Sequence, residues 1–196
     1  MTTEILAFWF GDWDDDVPMA DDDPQMKRWW HKNPEVDALI TARFGDLLTQ
    51  DLTSWEATPL GSLAKVVVLD QFSRMIYRDE GSAFENDAEA RATVRRGLEA
   101  GVDKQLTRIQ RSFYYMPMMH SEDLVDHDLA MKLFGKLRDD AAGTARGKGY
   151  SMTFEYEGKH RVIIERFGRY PHRNKALGRE STPEETAFLT QPGSSF

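Results

Sequence analysis

The chain contains no cysteine. That excludes a disulfide framework, cysteine-ligated zinc or iron–sulfur centres, and a thiol nucleophile. No basic segment precedes the first apolar run, MTTEILAFWFGDW, and no small-residue cleavage pattern follows it, so no secretory signal is expected. The apolar runs, Val66–Leu69 among them, fall far short of the ~20 residues that cross a bilayer. Positive charge is in deficit: 25 Lys and Arg against 33 Asp and Glu leave a formal net charge of -8. Such a balance disfavours general nucleic-acid binding, which needs a basic footprint. Walker A, GxGxxG and GxSxG motifs are also missing. Nucleotide-loop and serine-hydrolase readings therefore have no support, and no cofactor is expected. The expectation is a soluble, cytoplasmic protein with neither nucleic-acid nor membrane partners.

What the chain does contain is ordinary globular composition, 40% hydrophobic and 30% charged, over 196 residues. That length fits a single domain with a sizeable core, residues 1–196. Charge is unevenly placed. Asp12 to Asp23 holds seven aspartates and no base, which reads as a solvated loop. His160 to Arg179 holds six Lys or Arg residues and one Glu.

Helix signals dominate. Glu4–Phe10 reads as a short helix ended by Gly11, and Pro18 and Pro24 break the acidic loop. Pro24–His31 reads as another short helix. Asn33-Pro34 starts a third helix, with Val36, Leu39, Ile40, Arg43, Phe44, Leu47 and Leu48 at helical spacing. Leu60–Arg74 suits a strand by its VVVLD core or a buried helix by its length, and length favours the helix. Asn86-Asp87 opens a helix that Gly101 closes. Ser121 is placed as the cap of another, with acids in its first turn. Tyr150–Phe167 is helix or two short strands; a helix from about Phe154 is favoured. Thr182-Pro183-Glu184-Glu185 is a capping box. The fold class expected is all-α, helix pairs joined by short loops and able to stack as an α-solenoid.

Three polar segments interrupt this apolar frame. In Leu69–Arg74, Asp70 and Arg74 are four apart and share a helix face, as an ion pair or as a positioned carboxylate with its arginine. In Arg111–Glu122, the aromatics and methionines, Tyr115 included, suit a core. His120 and Glu122 are expected at a helix N-terminus, where anions are attracted, and His120 is a general acid–base candidate. In Arg166–Glu185, Arg169, His172, Arg173 and Asn174 sit in a tight loop suited to bidentate carboxylate or phosphate recognition, or to pairing with acids on neighbouring helices. His120, Glu122, His160 and His172 also form a possible metal-ligand set. No HExxH spacing occurs and the nearby arginines would repel a cation, so no metal is expected.

LDQFSRMIYR, FYYMPMMHSEDL and RFGRYPHRNKALGRESTPEE, with the N-terminal FWFG, together resemble the bacterial family catalogued as domain of unknown function number 924. The resemblance spans Phe8 to about Leu189. It implies stacked antiparallel helical hairpins, similar to tetratricopeptide-repeat superhelices, and brings no activity with it.

The leading expectation is a small-molecule site in a helical superhelix, a ligand-binding or hydrolase-like pocket for a phosphate- or carboxylate-bearing anion. Arg111, Arg169 and Arg173, with Arg74, Tyr115, His160, His172 and Asn174 around them, would bind a small anion. His120, with Glu122 or Asp70, would orient it or move protons. One competing expectation is a binding module whose arginines clamp an acidic peptide without chemistry. The other is a purely structural polar network. The first requires that the three segments meet in space.

Overall fold

The computed structural model describes residues 1–17 and 23–195. Pro18 and two aspartates of the acidic stretch, Asp21 and Asp22, lie outside the described residues. Among the described residues there is no β-strand, and no helix is long and apolar enough to cross a membrane.

The N-terminal half begins with α1 (Thr2–Phe10), α2 (Pro24–Trp30) and α3 (Pro34–Phe44). Asp23 and Asn33 cap α2 and α3 by accepting from the backbone N–H groups two and three residues on. Proline takes the first turn of each, where its missing N–H costs nothing. After Phe44 the chain tightens into a 3-10 turn, Gly45–Thr49, instead of continuing the helix through Leu48. Arg43, which interrupts the apolar stripe, lies over the rings of Phe8 and Phe44 and pairs with Glu4.

The centre is a continuous rod: α4 (Pro59–Val66), a π-helical turn (Val67–Phe72) and α5 (Ser73–Ile76). Leu63, Ala64, Val66, Val67, Val68, Leu69 and Phe72 are all buried. A helix apolar on every side belongs inside a protein, and that resolves the helix-or-strand ambiguity of this stretch. Trp9 and Phe44 pack on its Phe72, and Phe113 packs on Trp9, with ring centroids 5.2–5.5 Å apart.

The remaining helices stack in sequence order: α6 (Asp87–Glu99), α7 (Arg108–Met119), α8 (Leu124–Asp140) and α9 (Gly147–Phe167). At Gly97 a Cβ would fall 1.9 Å from the Tyr114 hydroxyl, so glycine is what lets α6 and α7 approach. α8 and α9 are antiparallel, as the pairs Asp128–Arg161, His127–Glu157 and Gly135–Phe154 show. The helix expected from Phe154 begins seven residues earlier, absorbing Gly147 and Gly149 into its first turn. Gly168 closes α9 with φ of 65°, a left-handed residue that a side chain would strain. The chain then folds back through a 3-10 turn, Pro171–Arg173, to α10 (Pro183–Leu189), whose Thr182–Glu185 capping box is formed on both sides.

Candidate functional site

Local structure first corrects one expectation. His120 is not at a helix N-terminus; it caps the C-terminal end of α7. Pro117 lies inside that helix, and the chain runs three more residues before turning. Asp123, not Ser121, is the N-cap of α8, accepting from the Val125 N–H. The partial charge beside His120 is therefore negative, which favours a cationic ring and not an anion.

The π turn sets Asp70 facing that helix end. Extra-wide turns of this kind recur at functional positions because they re-aim one or two side chains. Asp70 is fully buried. Its Oδ1 lies 2.7 Å from His120 Nδ1, and its Oδ2 accepts from Gln71 Nε2 at 2.5 Å. Arg74 Nη1 lies 3.0 Å from the same Oδ1 and also donates to the Asp70 carbonyl. Burial alone would raise the Asp70 carboxyl. The charge of Arg74 and the hydrogen bonds from His120 and Gln71 outweigh it and hold the group well below the usual carboxylate range. An ionised Asp70 only accepts, so the proton of the shared bond is on His120 Nδ1, and Nε2 is the basic nitrogen. Burial pushes His120 below the ordinary histidine value. Asp70 opposes that shift, while Arg74 and Arg173 add to it.

Arg74 reaches on to Asp87, donating from Nη2 to Oδ2 at 3.0 Å. Beside it stands Arg173, carried in by the Pro171–Arg173 turn and only 7% exposed. Its guanidinium lies over the rings of Tyr170 and Phe84, at 4.4 and 4.7 Å. Ring faces attract the charge but offer no lone pairs to the in-plane N–H groups. Its nearest carboxylate oxygen among the described residues is Asp87 Oδ2, at 3.6 Å, and its Nε is buried with no hydrogen-bond partner. Other arginines with a buried unpaired nitrogen donate elsewhere: Arg28 to Phe8 and Gln25, Arg111 to Asp140, Arg146 to Val17, Arg179 to Glu122. Burial, then the neighbouring Arg74, bring Arg173 down to about 10, so it is still charged at neutral pH.

Histidines surround this arginine. The ring of His160 is 6.3 Å from that of His120 and 5.7 Å from Tyr170, and its Nδ1 donates to the Tyr156 carbonyl. The His172 ring is 5.4 Å from Tyr170. Burial above all drives His160 to about 3 and His172 to about 4, so both rings are neutral at pH 7. Behind Tyr170, His127 and Glu157 form a pair with both side chains wholly inaccessible, 2.8 Å apart.

The three sequence segments thus meet: Asp70, Arg74, His120, His160, His172 and Arg173 share one end of the bundle. Others are elsewhere or already engaged. Glu122 is forked by Arg179 at 2.7 and 2.9 Å and accepts from the Tyr170 N–H, so it staples the C-terminal loop. Arg169 is forked onto Glu185, and Asn174 donates to Ser181 and Glu185, which fixes α10. Arg111 pairs with Asp140, about 13 Å along α7 from His120 at 1.5 Å per residue. Tyr115 donates to Asp103 and packs on Phe134. The four residues weighed as metal ligands do not converge as a set: among the described residues no three His, Cys, Asp or Glu do so. Reasoning from sequence missed Asp87, which reads as a first-turn helix acid, and Gln71, Phe84 and Tyr170. Only the register of Asp87 one turn beyond Phe84 hinted at a shared face.

A family model described as a bacterial protein of unknown function, DUF924, matches residues 5–193. No curated protein matches the chain significantly. A solved structure of a protein of unknown function, ATU0120 from Agrobacterium tumefaciens, is 30% identical, covers 96% of each chain and superposes with a TM-score of 0.78. Family and fold agree with the geometry above, and the chain belongs to the DUF924 family.

Proposed function

We propose that the Asp70–His120–Arg173 cluster is a small-molecule site that holds a carboxylate- or phosphate-bearing ligand and moves a proton to or from it. One observation carries the reading. Arg173 is buried and charged, yet none of the described residues accepts a hydrogen bond from it. A buried guanidinium whose N–H groups lack acceptors is costly even beside a carboxylate at 3.6 Å, and a ligand oxyanion supplies those acceptors with the geometry a guanidinium prefers. His120 gives the site its chemistry. Asp70 fixes the tautomer, as an acid orients the base of a catalytic triad, and leaves Nε2 as the nitrogen that takes up or returns a proton. The reaction class this supports is proton transfer by His120, of the acid–base kind hydrolases use, to or from a substrate anchored by its anionic group.

The test is a thermal-shift screen of the whole chain with acetate, benzoate, sulfate, inorganic phosphate, nucleotides and acidic peptides. A ligand that binds the native state raises Tm by mass action. The reading predicts a shift from a small anion that is lost in Arg173→Met and kept in Arg111→Met, whose guanidinium serves Asp140. A shift from acidic peptides alone would move the protein to the class of peptide-binding modules. No shift from any of them would remove the reading.

A further inference from the structure

Among the described residues the cluster is balanced in charge: three carboxylates, Asp70, Asp87 and Glu122, stand against three guanidiniums, Arg74, Arg173 and Arg179. An anion arriving at Arg173 therefore leaves a buried site with an excess negative charge. Water cannot screen that charge well there, so a proton taken up nearby is the natural compensation.

Every element packed around His120 bears on where that proton goes. The π turn presents Asp70, α5 presents Arg74, and α6 presents Asp87. α9 presents His160, and the C-terminal turn presents Tyr170, His172 and Arg173. The segment after α7 presents Glu122. His120 has a carboxylate bonded to it and caps a helix C-terminus, where carbonyl dipoles favour a cation. His160 instead spends its Nδ1 proton on the carbonyl of Tyr156 and sits deeper, 6% exposed.

We infer that anion binding at Arg173 and protonation of His120 are coupled, so that the site takes an oxyanion together with one proton. The inference rests on the anion site proposed above and adds its regulation. Occupancy responds to pH, and the ligand class is a carboxylic acid or phosphate monoester delivered as anion plus proton. By reciprocity, the anion raises the proton affinity of His120 by the factor by which the proton raises affinity for the anion. The sign follows. Between the proton affinities of His120 in the free and the filled site, each unit fall in pH tightens binding up to about tenfold; outside that window affinity is flat.

Calorimetric titration of the whole protein with benzoate and with sulfate tests this. Both probes keep a fixed charge from about pH 5.5 to about pH 8.5, so any proton taken up belongs to the protein. Running each titration in two buffers of different ionisation enthalpy counts the protons. The expected result is an uptake approaching one proton per anion, with affinity falling as pH rises. His120→Gln, which keeps a donor toward Asp70, is expected to bind with pH-independent affinity, whereas His172→Gln keeps the dependence. Nitrogen chemical shifts of the His120 ring in the unmutated protein, with and without benzoate, read the same proton without any substitution. Saturable binding with no proton uptake would overturn the coupling and leave the site intact. Uptake that survives in His120→Gln would overturn the assignment to His120. No binding of either anion at any pH would remove the site and the coupling together.

Discussion

His120 Nδ1 lies 2.7 Å from Asp70 Oδ1, although the two residues are fifty apart in the chain. That contact joins the end of α7 to the π turn, and Arg74 closes it from the other side. Asp70→Asn keeps the shape and removes the charge, leaving Arg74 with Asp87 alone and His120 without a fixed tautomer. Losing one partner of a buried charged pair typically costs about 3–5 kcal/mol. Urea unfolding is expected to show a loss on that order, and the His120 nitrogen spectrum is expected to lose its single Nδ1–H form. Unchanged stability with an unchanged spectrum would mean the contact fixes nothing.

Glu122 and Arg179 are predicted to stabilise the fold by holding Tyr170 and the C-terminal loop in place. Charge-assisted hydrogen bonds contribute about 1.5–3 kcal/mol. Glu122→Gln should lower Tm by roughly 2–4 °C for each kcal/mol lost in a chain of this size. A double-mutant cycle with Arg179→Met should show coupling between the two. Additive effects would say that the fork contributes nothing.

Burial raises the Glu157 carboxyl, and its Oε2 has no hydrogen-bond partner among the described residues. His127 Nε2 donates to the Ser121 carbonyl, so His127 and Glu157 hold one proton between them at Nδ1. A neutral amide can make that same bond. Glu157→Gln is therefore expected to be close to neutral, while Glu157→Ala leaves His127 Nδ1 buried without a partner and costs about 1–3 kcal/mol. Chemical denaturation of the two variants side by side decides it; equal losses would refute the shared-proton arrangement.

His160 predicts the acid limb of stability. Its folded-state value of about 3 is depressed from the ordinary 6.5, chiefly by burial. On acidification the unfolded chain therefore takes the proton first. The contribution is complete above about pH 6.5 and is lost as pH falls toward 3, at up to about 1.4 kcal/mol per pH unit. Unfolding measured from pH 7 to 4 should show this slope, and His160→Gln should flatten it by about one proton. A slope identical in the variant would place the titrating group elsewhere.

How far the sequence led can be argued from particular residues. The caps at Asn33 and Thr182 and the start of α3 follow from local rules, because the partners lie within one turn, whereas Leu39 of the expected apolar stripe is exposed. The pairing of Asp70 with Arg74 was legible for the same reason. The end of α7 was not: the proline at position 117 hides a helix that tertiary packing of Phe113, Tyr114 and Met118 sustains. Among the arginines, sequence shows charge but not which carboxylate each one meets. Arg169, Arg173 and Arg179 look alike in the loop, yet Glu185 and Glu122 fork two of them, while the third has only Asp87 at 3.6 Å. That distinction depends on contacts across 16 to 57 residues of chain, which no local pattern encodes.

The most direct measurement compares Arg173→Met with the parent in chemical denaturation, each with and without saturating benzoate or sulfate. Asp87 keeps Arg74 in the variant, and an apolar side chain replaces a guanidinium whose buried Nε has no acceptor. Removing a buried donor that has no acceptor also removes the desolvation cost of that group. The variant is expected to be at least as stable as the parent without anion, and only the parent is expected to gain stability when an anion is added. A variant weakened by several kcal/mol, with neither protein responding to anions, would show that Arg173 holds the fold together and binds no ligand.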